Sequence, residues 1–587
     1  MIAKTSPMSI LNLDVSVREN IQKWLNGNYD KTTKAAIQSM IENEEYTELT
    51  DAFYKELEFG TGGLRGIMGI GSNRVNKYTF GMATQGFSNY LLECYPNQQI
   101  KVAIAHDNRN NSDTFAKMVA DVFSANGIYV YYFDGLRPTP ELSFAVRELG
   151  CQGGVVLTAS HNPKEYNGYK AYGENGGQLV MPHDVNVMKA VRKINSIDEI
   201  KFEANEALIE KIGKDIDDKY LDLLAQYSLS REAIKRQENL KIVFSPIHGT
   251  GGVLVPPVLE RYGFKQIHLV EEQMVVDGNF PTVIYPNPEE QEAMSMGINK
   301  AKAIDAELVM ATDPDADRVG VAVKKSTGEY MLLNGNQIVC LLTKYMLDAW
   351  ENTGKLTGNE YVIKTIVTSY LVDKIAASKK VVCYNTLTGF KFIGEIMTQL
   401  EGKETFVVGG EESYGYLIGE HARDKDAVVS CAMIAEMTAY YKDKGHSLYD
   451  ALLDIYLEYG YYKEKLVSIT KKGKQGAEEI KAMMEGFRAN PPSTLGGSKV
   501  VMLKDYKSQE SKNILTGAIE KIDLPSSNVL QFYTEDGSII SARPSGTEPK
   551  IKFYCSINAP LNAKNEAEQL EKDLEIKLNK LLKDLGA

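Results

Sequence analysis

The chain is 587 residues long, enough for about four domains at roughly 150 residues each. Its composition, 43% hydrophobic and 25% charged with 48 Gly and 19 Pro, is that of a folded globular protein and excludes collagen-like, low-complexity and mostly disordered classes. Lys plus Arg number 66 against 78 Asp plus Glu, a net charge of −12, so bulk binding of nucleic acid is excluded and only local Arg or Lys pockets for small phosphates remain.

The first thirteen residues lack a basic stretch followed by an apolar one, and no run of 18 or more apolar residues occurs. The expectation is a cytoplasmic protein with no membrane and no nucleic-acid partner. The six cysteines stand singly without a C-x-x-C pair, which predicts reduced core residues and no zinc site. Ser16-Val-Arg-Glu19 has the form of a capping box, and Val17, Ile21, Trp24 and Leu25 follow at helical spacing, so the chain opens on an amphipathic helix. Further along, one pattern recurs five times: a short β-branched apolar run leads straight into a polar loop. The loops are Thr158-Ala-Ser-His-Asn-Pro163, Ser245-Pro-Ile-His-Gly-Thr-Gly-Gly252, Ala311-Thr-Asp-Pro-Asp-Ala-Asp-Arg318, Asn385-Thr-Leu-Thr-Gly389 and Gly409-Gly-Glu-Glu-Ser-Tyr-Gly415. Apolar runs without alternation read as strands buried on both faces, and in α/β sheets ligands bind at the strands' carboxyl ends. At the far end, Ala567, Leu570, Leu574, Leu578, Leu581, Leu582 and Leu585 mark a last amphipathic helix on a small C-terminal domain.

Candidate seams at 195–210, 325–329 and 458–465 divide the chain into four: 1–206 with the Ser160 loop and the helical extension, 207–325 with the aspartates, 326–458 with the Glu411 loop, and 459–587. The expected fold class is three consecutive α/β domains with mixed, mostly parallel sheets, plus a smaller C-terminal α+β domain, around a central cleft.

Asp313, Asp315 and Asp317 alternate across five residues. Carboxylates that close raise one another's pKa unless a cation neutralises them, and oxygen-only donors suit Mg2+. An EF-hand would need Gly at its sixth position and Glu at its twelfth, where Arg318 and Lys324 stand; a capped acidic surface turn is the plainer alternative. Ser160 lacks the G-x-S-x-G setting of a hydrolase nucleophile. Its hydroxyl is either a phosphoryl carrier beside a divalent cation or simply the cap of a turn. Arg543-Pro-Ser-Gly-Thr547 offers a guanidinium, two hydroxyls and a flexible glycine, a set suited to a phosphate dianion. Glu411 and Ser413 lie on a glycine-flanked loop, and carboxylates accept well from sugar hydroxyls. There is no G-x-x-x-x-G-K-[ST], and Gly60-Thr-Gly-Gly-Leu-Arg-Gly66 lacks the third glycine of a dinucleotide fingerprint.

Together, and in this order, these segments resemble the α-D-phosphohexomutase superfamily of phosphoglucomutases and phosphomannomutases, from about Phe59 to Tyr554. The resemblance implies that Ser160 carries the phosphoryl group and that Asp313, Asp315, Asp317 and phosphorylated Ser160 bind one Mg2+ per chain. Glu411 and Ser413, with Thr388 and Gly389, would contact sugar hydroxyls; Arg543, Ser545, Gly546 and Thr547 would hold the phosphate not in transit. Asn167-Gly-Tyr-Lys170 matches the segment whose lysine stands by the phosphoserine, making Lys170 the first acid/base candidate beside His161. His421-Ala-Arg-Asp-Lys-Asp426 makes Lys425 the second, with His421 and Arg423 as further substrate contacts, while Arg65 and Arg318 complete a positive cleft.

The implied reaction is an isomerisation of glucose 1-phosphate and glucose 6-phosphate through a glucose 1,6-bisphosphate intermediate, by a monomer or homodimer, with the last domain closing to exclude water. The Gly-Glu-Glu-Ser-Tyr-Gly loop is similar to the glucose-preferring members. The long N-terminal extension is similar to a branch that includes phosphopentomutases, so mannose and pentose phosphates stay as alternatives. Rivals of another class are a phosphatase with an aspartate nucleophile and a non-catalytic sugar-phosphate-binding protein.

Overall fold

A computed structural model of the protein describes residues 13–58, 63–325, 327–471, 473–545 and 550–586. These residues group into two compact units, one drawn from 13–322, 394–401 and 415–439, the other from 323–393, 402–414 and 440–586.

The first unit begins with three helices, α1 (Val15–Asn26), α2 (Lys31–Glu42) and α3 (Tyr46–Phe53). Val17, Ile21 and Trp24 form the buried face of α1, as the spacing requires, and Trp24 stacks on Tyr29 with ring centroids 4.2 Å apart. The expected capping box is not made. Asp14 stands at the N-cap without a side-chain bond, so Ser16 is the second helical residue and not the cap.

The first sheet has the order β1-β5-β4-β2-β3-β6, from β1 (Gly63–Ile67), β2 (Lys101–His106), β3 (Tyr129–Phe133), β4 (Gly153–Leu157), β5 (Tyr166–Gly173) and β6 (Ile209–Ile212). The β2–β3, β2–β4 and β3–β6 pairs are parallel; β4–β5 and β1–β5 are antiparallel. Helices α4 (Lys77–Cys94), α5 (Ser112–Ala125) and α6 (Thr139–Glu148) connect these strands. β6 lies past the seam drawn at 206, because its pairing with β3 ties it to this sheet and leaves no local trace in the sequence. The second sheet contains β7 (Lys241–Ser245), β8 (Gln266–Leu269), β9 (Leu308–Thr312) and β10 (Val319–Lys324), with β7 parallel to both β8 and β9. All residues of β4 and β9 are buried, matching their uninterrupted apolar runs.

The second unit carries β11 (Tyr330–Leu333) and the parallel strands β12 (Glu360–Thr365), β13 (Val382–Thr386) and β14 (Thr405–Gly410), in the order β13-β12-β14. As an edge strand, β13 is half-exposed and not buried on both faces as its apolar run suggests; Val382 is 49% exposed. The C-terminal sheet is antiparallel, with strands Tyr461–Thr470, Lys550–Ala559, Ile539–Pro544, Leu530–Thr534, Ser498–Asp505 and Glu510–Asn513 side by side. The last helix, Ala567–Asp584, buries Leu574, Leu578, Leu581 and Leu582 against it. The architecture is three α/β sheets of mixed, mostly parallel pairing followed by a β-rich C-terminal part.

All six cysteines are free thiols; Cys94 is exposed and Cys383 partly so, the other four buried. Among the described residues no helix is long and apolar enough to cross a membrane.

Candidate active site

In the first unit, β4 delivers the chain into the loop that carries Ser160. Ser160 is buried and has φ 51°, a left-handed conformation that costs a non-glycine residue about 1–3 kcal/mol and persists only where its surroundings impose it. Two groups do so. Its N–H donates to Thr158 Oγ1 at 2.8 Å. The buried Arg109 guanidinium, from the loop after β2, donates to the backbone carbonyls of Ser160, Asn162, Pro163 and Tyr166. Sequence reading missed Arg109, although the run Lys101-Val-Ala-Ile-Ala105 into Asp107-Asn-Arg109 is a further instance of the strand-into-polar-loop pattern.

The Ser160 hydroxyl donates to Asp313 Oδ2 at 2.7 Å and lies 3.2 Å from His161 Nδ1. Asp313 follows β9, and its Oδ1 accepts the N–H groups of Asp317 and Arg318 at 3.1 and 3.0 Å, winding the loop so that alternate side chains converge. Oxygens of Asp313, Asp315 and Asp317 lie within 4.8 Å of one another, all three residues buried. The Ser245–Gly252 loop acts here as a buttress. Thr250 donates from N–H and Oγ1 to the Pro314 carbonyl at 2.8 and 2.9 Å, and a Cβ on Gly249 would meet Pro314 Cα at 2.5 Å, so only glycine fits.

Two lysines meet the triad. Lys170 on β5 donates to Asp315 Oδ2 at 2.7 Å and to Asp317 Oδ2 at 3.0 Å; Lys425 donates to Asp424 Oδ1 at 2.9 Å and lies 3.1 Å from Asp317 Oδ2. Burial lowers the Lys170 pKa, but Asp315 and Asp317 outweigh it and hold the ammonium charged. Burial, reinforced by Asp317 and Asp315, pushes the Asp313 carboxyl well above the usual carboxylate range. Asp317 goes the other way: burial would raise it, but Lys170, Lys425 and Arg318 prevail. Desolvation beside the Arg318 and Arg65 guanidiniums keeps His161 neutral.

The residues fit a hard divalent cation. The donors are all oxygens, and Asp315 Oδ1 and Asp317 Oδ1 are buried without a hydrogen-bond partner among the described residues. Left to itself the cluster suppresses ionisation of Asp313; a dication would relieve it.

Arg65 on β1 donates to Asn162 Oδ1 at 3.1 Å and so joins the Ser160 loop. Arg318 is paired with Glu289 Oε1 at 2.8 Å. Two expected substrate contacts are buried and paired with carboxylates. His421 is fully buried with Nε2 2.7 Å from Asp426 Oδ2, which also accepts from Tyr220 Oη at 2.6 Å; Arg423 is buried with Nη2 3.0 Å from Glu401 Oε2. Each therefore stands beside a carboxylate of the same unit, Asp426 being shared with Tyr220 and Glu401 with Arg147.

In the second unit, Gly389 has φ 121°, and its N–H donates to Glu411 Oε1 at 3.0 Å, bringing the turn with Thr388 and the Glu411 loop together. The neighbouring Glu412 Oε2 accepts from Thr365 and Thr368 hydroxyls at 3.2 and 3.1 Å. Ser413 is partly exposed beside them, as are Arg543 and Ser545 at the end of their strand, where Ser545 N–H donates to the Lys550 carbonyl at 2.7 Å. Gly546 and Thr547 lie outside the described residues. Tyr554, not singled out from sequence, joins the two loops: burial and the nearby Glu412 push its hydroxyl up to about 12 against the pull of Arg543. It packs with Ile366, Val367 and Leu387, and Gln531 Nε2 donates to the Ile366 carbonyl at 2.7 Å.

Comparison with known proteins finds one family. Models described as phosphoglucomutase/phosphomannomutase alpha/beta/alpha domains I, II and III match residues 56–198, 218–328 and 334–456. The chain is 36% identical over 538 residues to a phosphoglucomutase of Staphylococcus haemolyticus (strain JCSC1435), covering 92% of this chain and 96% of that protein. It is 36% identical over 534 residues to one of Staphylococcus aureus (strain bovine RF122 / ET3-1), covering 90% and 95%. The fold is that of the open form of pp63/parafusin, a phosphoglucomutase from Paramecium (TM-score 0.66, 18% identity, 91% of this chain and 96% of that one). It is also that of a putative phosphomannomutase from Thermus thermophilus (TM-score 0.63, 21% identity, 89% and 99%).

Proposed function

Because the chain belongs to the phosphoglucomutase/phosphomannomutase family, we propose that it interconverts glucose 1-phosphate and glucose 6-phosphate, with Ser160 as the phosphoryl carrier. The observation that carries this reading is the Ser160 hydroxyl 2.7 Å from Asp313 Oδ2, at the rim of a buried carboxylate triad with two oxygens that have no hydrogen-bond partner among the described residues. The proposed working division of the chain keeps the four parts drawn at 1–206, 207–325, 326–458 and 459–587, with the first seam moved past Ile212 so that β6 stays with its sheet; the location proposed is the cytoplasm, the state a monomer or homodimer.

Asp313, Asp315 and Asp317 would hold one Mg2+, joined by Ser160 when phosphorylated. When bound, that ion supplies positive charge against the transferred phosphoryl oxygens. In the first half-reaction the free sugar hydroxyl bonds to the phosphorus of phosphorylated Ser160, the P–Oγ bond breaks, the hydroxyl proton leaves to a base and Oγ gains a proton. The product is glucose 1,6-bisphosphate, which turns over and returns its other phosphate to Ser160. The charged state of Lys170 suits it to balance developing charge at Oγ, and it is the proposed group to supply the proton once a cation has neutralised the aspartates that now hold it. When Ser160 is recharged its proton must leave, and Asp313 Oδ2 and neutral His161 are the acceptors at hand. Lys425, anchored by Asp424, is the second proton-transfer group. Glu411, Ser413 and the Thr388-Gly389 turn would grip the central sugar hydroxyls, and Arg543, Ser545, Gly546 and Thr547 the phosphate not in transit, leaving either end of the sugar free to react.

Phosphorus NMR with Mg2+ and a trace of glucose 1,6-bisphosphate tests this. Glucose 1-phosphate should isomerise quickly and mannose 1-phosphate and ribose 1-phosphate slowly. A preference for mannose or ribose would overturn the sugar assignment, and no isomerisation of any ester would overturn the mutase reading in favour of a phosphatase or a binding protein.

A further inference from the structure

We propose that Thr139 is a positioning residue that holds the Asp315 carboxylate with one oxygen presented to the divalent cation, an inference that rests on the triad being a cation site. Thr139 is fully buried at the first position of α6. Its N–H donates to the Asp315 backbone carbonyl at 2.9 Å and its hydroxyl to Asp315 Oδ2 at 2.8 Å. Lys170 Nζ donates to the same Oδ2 at 2.7 Å. Two donors therefore engage one oxygen of the carboxylate, while Oδ1 is buried with no hydrogen-bond partner among the described residues. A half-turn only exchanges two equivalent oxygens, but any smaller rotation would break both bonds and bury the Thr139 hydroxyl unpaired, so the carboxylate is held with one oxygen bonded and the other left for a metal.

The hydroxyl is not a helix cap. Pro138 occupies the N-cap, no side-chain cap bond exists, and the Thr139 hydroxyl points away from its own helix to a residue 176 positions along the chain. The N–H it contributes is one of the first-turn donors that a helix cannot satisfy internally. One turn on, Ser143 Oγ accepts the Arg423 N–H at 2.9 Å, so the same face of α6 holds both the aspartate loop and the segment that leads to Lys425. Thr139 thus acts on the cation through Asp315, the kind of outer partner whose loss commonly weakens metal binding by 10–100-fold.

The test is titration of Mn2+ into the purified full chain, free ion being read by electron paramagnetic resonance. Thr139→Val, which keeps shape and N–H but loses the hydroxyl, and Thr139→Ala should each raise the Mn2+ Kd by about 10–100-fold with little change in Tm. Thr139→Ser should restore tight binding. The Mg2+ concentration for half-maximal activity should rise in parallel, while kcat at saturating Mg2+ and the KM for glucose 1-phosphate stay close to wild type. Wild-type binding that is abolished by Asp315→Asn but shifts by less than about twofold in both Thr139 variants would overturn the inference alone. Wild-type binding indifferent to Asp315→Asn would overturn the cation reading and this inference with it.

Discussion

Arg109→Lys should lower kcat/KM for glucose 1-phosphate by about 30- to 150-fold while leaving the Asp triad's affinity for Mn2+ nearly unchanged. The guanidinium donates to four carbonyls of one loop and pairs with Asp107 at 3.4 Å, with only 2% of the residue exposed. Lysine keeps the charge but not the planar fork, so at least two of these charge-assisted bonds are lost, each contributing about 1.5–3 kcal/mol. Relaxation of Ser160 out of its left-handed conformation returns about 1–3 kcal/mol of strain; at mid-range values, about 4.5 kcal/mol of bonding lost against about 2 kcal/mol of strain returned leaves about 2.5 kcal/mol, so about 2–3 kcal/mol, lost from the reactive geometry. At 1.36 kcal/mol per tenfold in rate, that is the stated range. The assay is steady-state isomerisation, run beside Mn2+ titration and intact-mass measurement of Ser160 phosphorylation after exposure to glucose 1,6-bisphosphate. Activity within about threefold of wild type would refute the view that this clamp holds Ser160 in a reactive conformation.

Ser160→Ala should abolish isomerisation while glucose 6-phosphate binding, followed by calorimetry, persists; phosphate release surviving in this variant would favour the phosphatase. Gly249→Ala forces a Cβ to within 2.5 Å of Pro314 Cα, so Mn2+ affinity should fall although residue 249 offers no ligand; unchanged affinity would show that the aspartate loop is not set by this contact. Glu464 has its carboxyl pushed up to about 7 by burial, with no hydrogen-bond partner for Oε1 among the described residues. The folded state therefore retains a proton that the unfolded state gives up near pH 4.5, and stability on this account falls as pH rises from there through about 7. Glu464→Gln should accordingly raise Tm relative to wild type at pH 8 more than at pH 5, and the opposite trend in thermal melts would contradict the assignment.

Much of the site was legible in the sequence because its parts are local. A β-branched run without alternation is a buried strand wherever it lies, and the polar residues that follow it necessarily emerge at the strand's carboxyl end. Thus Ser160 after β4, Asp313, Asp315 and Asp317 after β9, and Glu411 after β14 could be placed in loops at strand ends, and the spacing of the aspartates offered a hard-cation site beside a plainer acidic surface turn, which the burial of all three argues against. The amphipathic faces of α1 and the last helix were equally determined by periodicity. What tertiary structure alone decided is which of these groups meet and which are matched by other charges. The order β5-β4-β2 sets Arg109 under the Ser160 loop, and the packing of α6 turns Thr139 toward an aspartate 176 residues away. Spatial closeness likewise pairs Asp426 with His421 and Glu401 with Arg423, two residues near Lys425 in sequence, while Lys425 itself reaches Asp317. A buried charge takes whichever partner the fold brings within about 3 Å, and nothing in local pattern records that distance.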